Sequence, residues 1–169
     1  MLDSDLEIMK KAAFNKADIC NNHLGKYFIR AIVAGFFIVV ATMLSNVTAA
    51  VLLKTYPQFG KLISSIFFSI AIILVVFIGG ELFTGNNMVM AFGAYDKQVS
   101  WKEAGKVWGV SYLGNFVGCA ILALLFVGAG ASGTADYFAG FIGNKLSIPL
   151  GQMFFRAVLC NLSLIHISE

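Results

Sequence analysis

Charge is what this sequence has least of. Asp, Glu, Lys and Arg together make up 12% of its 169 residues, whereas soluble domains carry roughly 25%. That scarcity argues against a water-soluble globular domain. The net charge of +3 comes without a basic stripe interleaved with aromatics, which excludes nucleic acid as a partner. The two histidines, His23 and His166, lie far apart, and the three cysteines, Cys20, Cys119 and Cys160, are odd in number and widely spaced. Neither a disulfide framework nor a metal set follows; the thiols are expected to act as small buried apolar groups. With no Ser-His-Asp set and no CxxC pair, the chain reads as a non-enzyme with no cofactor. Asp3, Asp5 and Glu7 stand where a signal peptide would place positive charge, so no such peptide is expected at the N-terminus.

What fills the chain is apolar. Hydrophobic residues make up 59% of it, and the mean hydropathy is +0.82. A membrane span needs about 20 residues, which leaves room for about four. Residues 3–20 predict an amphipathic helix, with Leu2, Leu6, Met9, Ala13 and Cys20 along one face and Glu7, Lys10 and Lys11 off it. Ser4 and Glu7 fit a capping box. This helix should lie on the membrane surface or pack under a bundle. Asn21, Asn22, His23 and Gly25 are expected to break it, with His23 in a solvated turn. The first span is predicted at about 27–53, where Ala31, Gly35, Ser45 and Ala49 allow close helix contact. A short loop reaches Lys61, where the second span starts. After a polar loop from Asp96 to Glu103, the third span covers about 104–130. There Gly105, Gly109, Gly114 and Gly118 suggest tight packing, and Asn115 an interhelical hydrogen bond. Residues 131–147 read as a loop. The fourth span starts near Ser147, with Pro149 in its first turn, and Arg156 within it should pair or snorkel. Lysine-rich flanks alternate along the chain, which predicts that the N-terminus and the 96–106 segment are both cytoplasmic.

The second span carries the anomaly. Leu62 to Gly80 is uncharged. Gly79, Gly80, Glu81, Leu82, Phe83, Thr84, Gly85, Asn86 and Asn87 then interrupt it, and helical character is expected to resume over Met88–Tyr95. A bilayer interior cannot solvate freed backbone groups, so an irregular segment there must be buried in protein or line a cavity. Polar side chains at that depth mark a functional site. Two half-helices meeting at a loop would aim a positive helix N-terminus at an anion, with Asn86 and Asn87 as its caps. Glu81 is expected to accept the backbone N–H groups freed between Gly79 and Gly85.

These residues also resemble a known family. The run from Val76 to Gly85 is similar to the first signature of the formate/nitrite transporters. Tyr112 to Gly118 resembles their third helix, and Ala157 to Asn161 the start of their second signature. The resemblance implies an all-α integral membrane protein, a multi-span bundle with a discontinuous second helix. It further implies a homopentamer in the inner membrane, with a pore in each protomer for a small monovalent anion such as formate, nitrite or hydrosulfide. Thr84 and Asn161 then match pore-facing donors, Lys145 a lysine near the outer vestibule, and Phe68 and Ile72 the apolar constriction. On this reading residues 1–26 form the cytoplasmic helix and 27–161 the membrane domain, with about four of the family's six spans. Residues 162–169 depart from the pattern and read as a truncation or artefact. His166 does not match the family's central histidine. Two other classes remain. A non-transporting fragment or assembly subunit is one. An aquaporin-like channel for neutral solutes is the other, although Pro57 and Pro149, the only prolines, sit in no Asn-Pro-Ala box.

Overall fold

The computed structural model describes the backbone of residues 2–130 and 135–167, and side chains over 6–159 apart from 57, 61, 131–136 and 141. Among the described residues the regular elements are all helices: α1 (Leu2–Asn22), α2 (Leu24–Thr55), α3 (Pro57–Ile78), α4 (Phe83–Tyr95), α5 (Trp101–Gly128), α6 (Ala135–Leu146) and α7 (Leu150–Ile167). Three of them, Leu24–Thr55, Gln58–Ile78 and Trp101–Gly128, are long and apolar enough to cross a membrane. The fourth expected span corresponds to α7, whose stretch Leu150–Leu159 is a shorter apolar helix.

Three local expectations are corrected. Residues 131–147 are not all loop, because α6 occupies Ala135–Leu146. Tyr137 and Phe138 meet edge to face there, with ring centroids 6.3 Å apart. The glycines of this stretch signalled a loop, but a glycine inside a helix costs only about 1 kcal/mol against alanine. Ser4 lies inside α1 rather than ahead of it, since that helix begins at Leu2. The expected break after α1 shrinks to His23, and hydrogen bonds carry across it from His23 N–H to the Ile19 carbonyl (2.9 Å) and from Tyr27 N–H to the His23 carbonyl (3.1 Å).

The chain forms two compact units, one of Met1–Phe37 with Leu74–Ile121 and one of Ile38–Ile73 with Leu122–Glu169. In the first, α1 packs against α4. Ala13, Ala17 and Cys20 of α1 meet Tyr27, Met90, Ala94, Val99, Ala104 and Val107 in one core. On α5 the buried residues Ala104, Val107, Ser111, Gly114 and Gly118 recur at alternating spacings of three and four, which places them on one stripe. The stripe faces α2. A Cβ added at Gly118 would strike the Ile32 carbonyl, and one at Gly35 the Asn115 carbonyl. The small residues thus let the two backbones approach closely, as packing in a membrane requires where lipid offers no hydrophobic drive between helices. Gly105 and Gly109 face open space instead. In the second unit, the Ser45 hydroxyl reaches the Ser64 carbonyl at 2.8 Å and its hydroxyl at 2.7 Å, which ties α2 to α3.

Candidate functional site

The interruption falls between Ile78 and Phe83, in the first unit. α3 ends because Gly79 takes a left-handed conformation, φ +74°, open to glycine without steric cost. Gly80 N–H returns to the Val75 carbonyl at 2.9 Å, the six-to-one closure of a glycine-capped helix end. Gly80 then passes close to α2, where an added Cβ would lie 3.1 Å from that of Ala34. Glu81 N–H donates to the Arg30 carbonyl at 3.2 Å.

α4 resumes at Phe83, five residues before the expected Met88, so Phe83 and Gly85 belong to a helix and not to the loop. Its N-cap position is Leu82, which offers no side-chain cap. Asn86 and Asn87 therefore cap nothing. Asn86 lies within the first turn, fully buried, and its Nδ2 donates to the Tyr27 hydroxyl at 2.8 Å.

Glu81 does not bind the loop's own N–H groups. It is 6% exposed, and its Oε2 accepts from Lys16 Nζ at 2.6 Å and from the Tyr27 hydroxyl at 3.0 Å. A buried carboxylate is costly unless paired and hydrogen-bonded. Here α1 supplies the cation and α2 the neutral donor. The charge at the break is thereby offset by an ammonium in direct contact.

Asn115 of α5 spans the gap between the two half-helices. Its Oδ1 accepts from Phe83 N–H at 2.9 Å. Its Nδ2 donates to the Glu81 carbonyl at 2.9 Å and to the Ala31 carbonyl at 2.7 Å. Two turns earlier on the same helix, Trp108 Nε1 donates to the Asn86 carbonyl at 3.2 Å. The Phe83 ring meets Tyr112 edge to face at 5.3 Å.

Against this fixed background Thr84 stands out. It is half-buried, and among the described residues its hydroxyl has no hydrogen-bond partner, nor do the N–H groups of Thr84 and Gly85 have acceptors. A Cβ added at Gly85 would meet nothing within 4 Å. The start of a 13-residue helix thus presents one hydroxyl and two backbone donors at its positive end. Such an end favours an anion.

The other residues singled out from sequence belong to the second unit. Phe68 is exposed and Ile72 half-buried, one turn apart on α3. Lys145 is exposed and lies in the last turn of α6, not in a loop, where a cation suits the negative helix end. Asn161 falls within α7, and its side chain lies outside the described residues. Sequence reasoning missed Lys16 and Tyr27 as partners of Glu81. The available signal was the cost of burying a lone carboxylate, which demands a cation from another element.

A helical membrane protein whose second span is broken at a polar, partly uncapped helix start is the class these features define. The chain belongs to the formate/nitrite transporter family, whose description matches residues 5–166. It is 31% identical over 166 residues to the nitrite transporter NirC of Escherichia coli strain K12, covering 92% of this chain and 59% of NirC. It is 34% identical over 132 residues to the formate channel FocA of the same strain, covering 77% of this chain and 44% of FocA. A solved FNT family ion channel superposes with a TM-score of 0.71 at 25% identity, over 78% of this chain and 51% of that one. The chain spans less than two thirds of the length of these relatives.

Proposed function

We propose that this protein conducts a small monovalent anion across a membrane, formate or nitrite foremost and hydrosulfide next. The observation that carries this reading is the start of α4, where Thr84 Oγ1 and the Thr84 and Gly85 N–H groups have no partner among the described residues. An anion leaving water loses hydration, and a permeable site must replace part of it without holding the ion. Three neutral donors at a helix N-terminus suit that balance better than a fixed cation. Lys16 serves the same end by masking the Glu81 carboxylate at 2.6 Å, because an unmasked charge there would repel the substrate.

By resemblance, Asn161 adds a second donor, Phe68 and Ile72 form an apolar constriction, and Lys145 raises the local anion concentration at the outer mouth. The assembly is a homopentamer in the inner membrane, embedded in the lipid bilayer, with a cytoplasmic N-terminus. Contacts from Lys10 to Asp96 (3.1 Å) and from Lys106 to Asn21 (2.9 Å) support placing α1 and the 96–106 segment on one side.

The test is uptake by proteoliposomes under gradients of formate, nitrite and glycerol. Anion uptake above that of empty vesicles, cut by K145E and without glycerol uptake, is the expected result. Glycerol uptake would favour a neutral-solute channel, and no uptake at all a non-transporting assembly subunit.

A further inference from the structure

We infer that Asn115 is a positioning residue for the anion site, and that a seam of small residues between α2 and α5 sets its reach. The inference rests on the transport reading for the site's purpose, but its geometry stands without it.

A broken helix leaves backbone donors and acceptors open on both sides of the break. Here one side chain closes the gap. The carboxamide of Asn115 accepts from Phe83 N–H at 2.9 Å, on the α4 side, and donates to the Glu81 carbonyl at 2.9 Å, on the loop side. Its second amide hydrogen goes to the Ala31 carbonyl at 2.7 Å. The group therefore fixes the peptides flanking Leu82 to the α2 backbone. Thr84 follows Phe83 directly, so the direction of its hydroxyl and N–H is set by the peptide that Asn115 holds. Only a carboxamide both accepts and donates twice in this geometry; a carboxylate offers no donor when ionised, and an aliphatic side chain offers nothing.

The reach depends on close approach. Asn115 sits where α5 and α2 come together, and a Cβ on Gly35 would collide with the Asn115 backbone itself. Gly118, one turn on, meets the Ile32 carbonyl in the same way. Gly35→Ala should therefore move Asn115 off the break without altering a polar group at the site.

The experiment reads loop geometry and flux separately. T84C is placed in the full chain with Cys20, Cys119 and Cys160 replaced by alanine or serine. The introduced thiol is labelled with an anionic methanethiosulfonate in proteoliposomes, and formate and nitrite uptake is measured on matched variants that keep Thr84. With N115L, and likewise with G35A, the labelling rate is expected to change about tenfold from that of T84C alone. Uptake should fall about tenfold in the variants that keep Thr84. N115D keeps the acceptor for Phe83 N–H and loses both donors at neutral pH. Its labelling ratio to T84C should lie between the parent and N115L. If N115L does not accumulate, N115D and G35A decide by the same ratios. Labelling rates unchanged in these variants would overturn the positioning role, whatever the flux. Changed labelling with no uptake by any chain, the parent included, would uphold it and overturn the transport reading.

Discussion

Glu81 shows how much a single buried charge can organise. Its carboxylate binds Lys16 at 2.6 Å, and the Tyr27 hydroxyl relays a further link to Asn86. Removing one partner of a buried pair leaves an uncompensated charge and costs about 3–5 kcal/mol. Lys16→Met should therefore lower the melting temperature in detergent markedly. The double variant K16M/E81Q should recover much of the loss, since the stranded charge goes with its partner. Equal melting of the single and double variants would show that the pair carries no coupling. Tyr27→Phe leaves the Asn86 amide without its acceptor, at a cost of about 1–3 kcal/mol. These links were not legible in the sequence, because Lys16 and Glu81 are 65 residues apart and nothing local joins them. Asn115 was legible as a helix-to-helix hydrogen bond. That it would serve two half-helices at once was not, because its role depends on where the break falls.

At the scale of elements, the close approach of α2 and α5 separates glycines that pack from glycines that do not. Gly118→Ala places a Cβ against the Ile32 carbonyl, an overpacking that costs about 1–3 kcal/mol. Gly105→Ala meets nothing within 4 Å and should instead gain up to about 1 kcal/mol of helix propensity. Opposite shifts in thermal melting are expected, and a shared sign would refute the seam. From sequence Gly105, Gly109, Gly114 and Gly118 looked alike, because spacing alone does not tell which stripe a neighbour covers. The docking of α1 carries its own signature. Asp96 first, and then Glu7, hold the Lys10 ammonium above its ordinary value of 10.5. Since the folded value is the higher one, this attraction is complete below pH 10.5 and is lost as pH rises through the raised value. Proteolysis within α1 should accelerate over that range in the parent, and K10M should remove that part of the pH dependence.

Over the whole molecule, composition already indicated a helical membrane protein, because long uncharged runs leave few alternatives. The break in the second span was equally plain, as an irregular polar segment cannot face lipid. The register of the break was not. Asn86 and Asn87 look like caps, yet α4 begins at Phe83, whose N–H is held by Asn115 from a distant helix. Tertiary partners thus overrode a local signal. That helix start leaves the Thr84 hydroxyl and the Thr84 and Gly85 N–H groups without partners among the described residues, which is the basis for the transport proposal.

That proposal is tested most directly by anion uptake with the parent chain and with T84V, which is isosteric but has no hydroxyl. Both are reconstituted at equal protein density in liposomes carrying a formate or nitrite gradient. The account predicts rapid dissipation by the parent and at least about a tenfold loss in T84V, equivalent to about 1.4 kcal/mol of lost stabilisation of the permeating ion. Equal rates for the two chains, or no difference between the parent and empty liposomes, would contradict it.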